Sequence, residues 1–200
     1  MRRKTKAEKL AFIERLKLIR ESVPLVDEAA LKKAEAPLVK ALRKAGFNVT
    51  SVWDFVNTKD TYPEAVSILL QHLRKPYPRR ILEGIARALA VPEARVGWDQ
   101  LVRHYCSDHE IDAHRDVNEL KWSLHLAVAV ATDESVLDEL ISLACDRRHG
   151  YHRSYFVDAL SRFDDDRARA ALIELRSDPF LKDAFEQLDK KLKRRAQSDH

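Results

Sequence analysis

The organisation of this chain is clearest in residues 62–95, YPEAVSILLQHLRKPYPRRILEGIARALAVPEAR. Pro63, just after Tyr62, suits the first turn of a helix, where a missing N–H is harmless. Val66, Leu69, Leu70 and Leu73 then recur at helical spacing and form one apolar stripe. Arg74-Lys75-Pro76-Tyr77-Pro78 makes a tight turn, with Pro78 placed to open the next helix. That helix packs through Ile81, Leu82, Ile85, Ala88 and Leu89 and stops near Pro92. The unit is therefore a pair of amphipathic helices whose stripes need a neighbour to cover them.

The same pattern returns further along. Val136, Leu140 and Leu143 repeat Val66, Leu70 and Leu73, and Val157-Asp158-Ala159-Leu160 answers Ala86-Arg87-Ala88-Leu89. Asp146-Arg147-Arg148-His149-Gly150 stands where the proline turn stood. The shift is about 70 residues, or two units of about 35, which lies within the range of helical repeats. Between the two copies, Val96, Trp98, Leu101, Val102 and Tyr105 mark a first helix. A polar loop, Ser107 to Asp116, leads to an apolar second helix, Val117 to Ala131. A last pair covers Asp164 to Arg176 and Pro179 to about Arg194. Stacking of such pairs buries stripes that no single pair can bury alone.

Upstream, Leu10, Ile13, Leu16 and Leu18 or Ile19 predict a helix from about Thr5 to Ile19, ended by Pro24. A second helix runs from Asp27 to Lys44 and closes at Gly46. Ser51 caps a short turn carrying Val52, Trp53, Phe55 and Val56. The predicted division is an N-terminal helical cap over 1–60, helix-pair repeats over 61–195 and a disordered tail over 196–200.

Composition agrees with an all-helical chain. Only four glycines occur in 200 residues, too few for the turns of a sheet protein, and no run alternates with period two. The chain is 45% hydrophobic, enough to fill a core, and 34% charged, which suits helices with solvated faces. Cys106 and Cys145 stand far apart, so a reduced chain in a cytoplasmic compartment is expected. The basic start, Met1 to Lys6, leads into an amphipathic stretch rather than an apolar one, and no secretory signal is read there. The longest apolar run, Leu126 to Ala131, falls far short of the roughly 20 residues of a membrane span.

The net charge of +4 is unevenly placed. Residues 1–20 carry eight Lys/Arg against two Glu, a net +6, and residues 186–200 carry a net +2, leaving −4 for residues 21–185. A mildly acidic body is a poor nucleic-acid saddle, which needs Lys and Arg along one continuous surface.

The segments YPEAVSILLQHL, YPRRILEGIARALAVPEAR, DESVLDELISLA and FVDALSRFDDDRARAALIEL resemble HEAT-like repeats of small bacterial proteins over roughly residues 62–178. The resemblance implies an all-α, HEAT-like helical-repeat solenoid, an α-α superhelix of about five pairs. It further implies that the second helix of each pair lines a concave face. Function does not follow from it, since such arrays serve as scaffolds, lyase subunits, DNA-repair enzymes and inhibitors alike.

If the second helices line the groove, the binding candidates are Arg80, Glu83 and Arg87, then Asn118, Trp122 (or Lys121) and His125, then Tyr151, Tyr155, Asp158 and Arg162. Each set shares one helical face, and together they mix charge with aromatic and arginine anchors, as protein interfaces do. The plain alternative is a set of solvated helix faces. His104, Cys106, Asp108, His109, Glu110, Asp112, His114 and Asp116 crowd one loop, but without metal-ligand spacing, so no metal is assigned. Arg74, Lys75, Arg79 and Arg80, and likewise Arg147, Arg148 and Arg153, sit at equivalent turns and could form one basic edge for phosphate or an acidic partner. Ordinary charge near helix ends explains them equally well.

No Gly-rich phosphate loop, nucleophile elbow or HExxH is present, so no catalytic residue and no cofactor are assigned. The competing reading is a HEAT-like DNA-binding protein related to alkylpurine DNA glycosylases, which use a tryptophan and an aspartate about one helical turn apart. Here Trp53 and Trp98 directly precede Asp54 and Asp99, and the positions four beyond Trp53, Trp98 and Trp122 are Asn57, Val102 and Leu126. Adjacent helical residues point roughly 100° apart, so that pairing is absent. Trp98 and Trp122 read instead as packing residues. A lyase-type subunit holding a small cofactor in the groove is a second rival. The expectation is a non-enzymatic protein that binds a protein partner, as an immunity or inhibitor protein binds a toxin, with the acidic body suited to a basic nuclease toxin.

Overall fold

A computed structural model describes residues 27–56, 58–107 and 119–198. The described residues are helical and contain no strand. Among the described residues nine α-helices follow one another: α1 (Glu28–Lys44), α2 (Pro63–Leu73), α3 (Arg79–Ala88), α4 (Trp98–Ser107), α5 (Glu119–Val130), α6 (Leu137–Cys145), α7 (Ser154–Leu160), α8 (Asp166–Leu175) and α9 (Lys182–Ser198). Short 3₁₀ turns lie at Val52–Phe55, Pro92–Gly97, Glu134–Val136, Arg147–Arg153 and Pro179–Leu181. The helix expected over Thr5–Ile19 and the acidic loop at 108–116 fall outside the described residues.

A recurrent local device starts these elements. Asp27, Ser51, Asp133, Asp146, Asp165 and Asp178 each accept a backbone N–H from two or three residues ahead with a side-chain oxygen, at 2.8 to 3.3 Å. Each bond satisfies a donor that the first turn leaves without a partner. The guanidinium of Arg148 also grips Asp146 and holds its carboxyl at about 2. Gly46, with φ 95°, ends α1 in the left-handed conformation that glycine adopts most readily.

The helices pack in pairs, α2 with α3, α4 with α5, and α6 with α7, while α9 lies against α7 beside α8. The second helices also meet in succession, α3 on α5, α5 on α7 and α7 on α9. Their apolar faces supply much of a continuous core that includes Leu69, Ile85, Leu89, Leu101, Leu124, Val128, Leu140, Phe156, Val157 and Leu160. Burying each such side chain contributes roughly 1.5–3 kcal/mol. Trp98 is buried and donates from Nε1 to Glu139 Oε2 at 2.6 Å, tying α4 to α6 as expected of a packing tryptophan. Trp98→Phe keeps the ring but drops this bond. A loss of about 1–2 kcal/mol is expected from urea unfolding, and an unchanged midpoint would show the bond to be idle.

Three local expectations need correction. Val96 does not belong to the core: it is 81% exposed, because Pro92–Gly97 winds as a 3₁₀ turn and the α-helix begins only at Trp98. The helix before it ends at Ala88 rather than near Pro92. Arg153 is no part of an exposed basic edge. It is fully buried and donates to Gly150 O at 2.8 Å, to Ala144 O at 2.9 Å and to Asp178 Oδ2 at 2.8 Å. It therefore clasps the turn before α7 to the turn before α9, and only Arg147 and Arg148 of that cluster face solvent.

Candidate functional site

The successive second helices bring most of the predicted binding residues onto one surface. At one end Arg80 lies over the Trp53 ring, its guanidinium carbon 3.9 Å from the ring centre. Arg80 also pairs with Glu83 at 2.9 Å, and Glu83 approaches Arg87 at 3.5 Å. Arg87 reaches across to α5, 3.6 Å from Glu119 and 3.3 Å from Ser123 Oγ. Beyond them Trp122 meets Tyr155 edge-on at 5.2 Å, Tyr151 at 5.8 Å and His152 at 5.3 Å between ring centres. Tyr151 and Tyr155 are 38% and 40% exposed, and both rings meet Trp122.

Two hollows flank Tyr155. One, of about 260 Å³, is lined by Arg87, Glu119, Trp122, Ser123, Leu126 and Tyr155. The other, of about 400 Å³ and mostly apolar, opens between α7 and α9 and is bounded by Tyr155, Ala184, Leu188, Asp183 and the Asp158–Lys191 ion pair. Arg162, in the turn just past the end of α7, donates to Ala129 O on α5.

Charges along this surface nearly balance. Arg80, Arg87, Arg162 and Lys191 face Glu83, Glu119 and Asp158, most of them in mutual contact. A phosphodiester track needs an uncompensated row of cations, which this surface lacks.

Two predicted residues occupy different roles. Glu83 is only 5% exposed, and its two carboxylate oxygens are turned to Arg80 and Arg87, so it positions those arginines rather than facing a partner. His125 is fully buried beneath the surface, because α5 is covered by α3, α4 and α7 and has no solvated stripe of ordinary width. Its Nε2 accepts the Tyr155 backbone N–H at 3.0 Å. Burial pushes the imidazole pKa well down, and the neighbouring His152, His149 and Lys121 push the same way. Asn118 lies outside the described residues.

Trp53, Glu119, Ser123 and Lys191 join the surface without having been foreseen. For Trp53 a signal existed in Gly84, the lone glycine of α3. A Cβ there would stand 2.5 Å from Val52 Cγ1 and 2.9 Å from Trp53 Nε1, so the glycine admits the Val52–Phe55 turn against the helix.

Among the described residues no three His, Cys, Asp or Glu side chains gather as a metal site. Burial raises the thiols of Cys106 and Cys145, leaving them protonated near neutrality rather than as nucleophilic thiolates. No described helix is long and apolar enough to cross a membrane. No family model, curated protein or solved structure matches the chain.

Proposed function

We propose that this chain is a HEAT-like helical-repeat solenoid that binds a protein partner across the face formed by α3, α5, α7 and α9. The observation that carries the reading is the cluster of exposed Tyr151 and Tyr155 around half-buried Trp122, between two groups of mutually paired charges. Interfaces concentrate binding energy in such aromatic anchors and surround them with polar groups that are already satisfied. The succession of second helices, each packed on the next, supports the repeat architecture. An immunity or inhibitor role is the concrete version we favour, since the net −4 of residues 21–185 suits a basic partner and would speed its approach. The assignment is to a non-enzymatic cytoplasmic protein.

The test is affinity capture from source-cell lysate with three baits: the native chain, Tyr155→Ala and Trp122→Ala. A partner held by the native chain should bind Tyr155→Ala about 30-fold or more weakly, the effect of losing an anchor worth about 2 kcal/mol. Equal retention of every captured protein by all three baits would remove the aromatic face from consideration. Titration with intact and alkylated duplex DNA at two salt concentrations addresses the rival reading. Tight, salt-sensitive binding with base release would replace the protein-binding reading with a glycosylase one.

A further inference from the structure

The α7 helix begins without a side-chain cap of its own. Its second residue, Tyr155, nevertheless has a satisfied N–H, because His125 on α5 supplies the acceptor from outside the helix. An Nε2 that accepts must be unprotonated, so the ring proton sits on Nδ1, where no partner meets it within the buried site. The ring is enclosed by aromatic groups, with Phe156 at 4.6 Å, Tyr155 at 4.7 Å, Trp122 at 5.5 Å and Tyr105 at 6.0 Å between centres.

We propose that His125 is a proton-operated latch on the partner-binding face: a proton taken up at Nε2 turns an acceptor into a donor, expels the Tyr155 N–H and releases the first turn of α7. That turn carries the Tyr155 ring, which forms a wall of both hollows. The inference rests on the protein-binding reading for its purpose, though not for its physics.

Most of the surroundings oppose a charge on the ring, and a backbone hydrogen bond with Arg153 that favours it is outweighed. Along α5 stands Lys121. The turn before α7 presents His149, His152 and the buried Arg153, and α4 presents Tyr105 and Cys106. From α3 comes Arg87, engaged by Glu83 and Glu119. The nearby carboxylates are committed elsewhere, Asp146 to Arg148 and His149 and Asp178 to Arg153. Among the described residues no carboxylate pairs with His125. The imidazole is held neutral in the folded state and charges readily once exposed. Its contribution is therefore complete above the ordinary histidine value, about 6.5, and is lost progressively as pH falls below it.

The experiment is residue-resolved amide exchange on the full chain at pH 7 and pH 5, corrected for intrinsic rates, beside ¹⁵N imidazole shifts. Protection of the Tyr155 amide should fall about tenfold or more at pH 5 relative to core amides such as Leu69 and Ile85. In His125→Gln, which offers a non-titrating acceptor, the Tyr155 amide should keep its protection. Equal loss at Tyr155, Leu69 and Ile85, or the same loss in His125→Gln, overturns the latch. Should that variant fail to fold, the native shifts decide: the His125 ring must titrate with the Tyr155 opening, and a ring that stays neutral while Tyr155 opens overturns it. None of these readouts needs a partner, so the latch can fail while the binding reading stands, and the reverse.

Discussion

Arg153→Met should destabilise the protein by about 3–5 kcal/mol, read as a lowered urea midpoint, because it takes the close guanidinium from the buried Asp178 carboxylate and leaves it only the exposed Arg147, at 3.9 Å, as a cation. Arg153 is fully buried and Asp178 is 5% exposed, so water cannot replace the lost guanidinium. The carbonyls of Ala144 and Gly150 lose their donor in the same step. Adding Asp178→Leu should recover a large part of the loss, since two apolar groups leave no stranded charge. A single variant within 1 kcal/mol of the native chain would mean that the clasp contributes little. The clasp also has a pH signature. Burial raises the Asp178 carboxyl, but the Arg153 bond, the Phe180 N–H and the Arg147 charge outweigh it and hold the group below its usual value. Its stabilisation is present above the ordinary carboxylate range and is lost as pH falls through the depressed value.

Gly84→Val is expected to destabilise by about 2–4 kcal/mol, since overfilling a packed site forces neighbours out of their rotamers. The obstruction is stiff. Val52 is β-branched and fully buried, and the Trp53 indole is held under Arg80. Gly84→Ala should cost less, because alanine returns up to about 1 kcal/mol of helix propensity that glycine forfeits. The Trp53 fluorescence of the valine variant should shift as the Val52–Phe55 turn moves off α3. An unshifted spectrum together with native stability would refute the close-approach role of the glycine.

The paired helices were legible because their apolar stripes repeat: Val66, Leu70 and Leu73 return as Val136, Leu140 and Leu143 and are buried or half-buried in both copies. What failed did so where something other than the local spacing decides a side chain's surroundings. Val96 fits a helical stripe on paper, yet the 3₁₀ turn at Pro92–Gly97 changes the angular step and swings it into solvent. His125 fits a polar stripe with Trp122, yet α5 is enclosed by three helices, and a polar group there serves the backbone of a neighbour. Arg153 looked like surface charge because its partners, Ala144, Gly150 and Asp178, are set by chain folding rather than by local spacing. Of the binding surface, Arg80, Arg87, Trp122, Tyr151, Tyr155, Asp158 and Arg162 could be read as faces of single helices. The contacts that join them, Trp53 to Arg80 and Lys191 to Asp158, cross between elements and leave no periodic trace.

The layer in which α3, α5, α7 and α9 follow one another has a mechanical corollary. Drawn apart from its two ends in a force spectrometer, such a layer should yield seam by seam, beginning where α9 leaves α7, and the extension trace should climb as a staircase. The Arg153–Asp178 clasp straddles that first seam, so it sets the height of the first step, and a chain lacking the clasp should begin to lengthen under a visibly smaller pull.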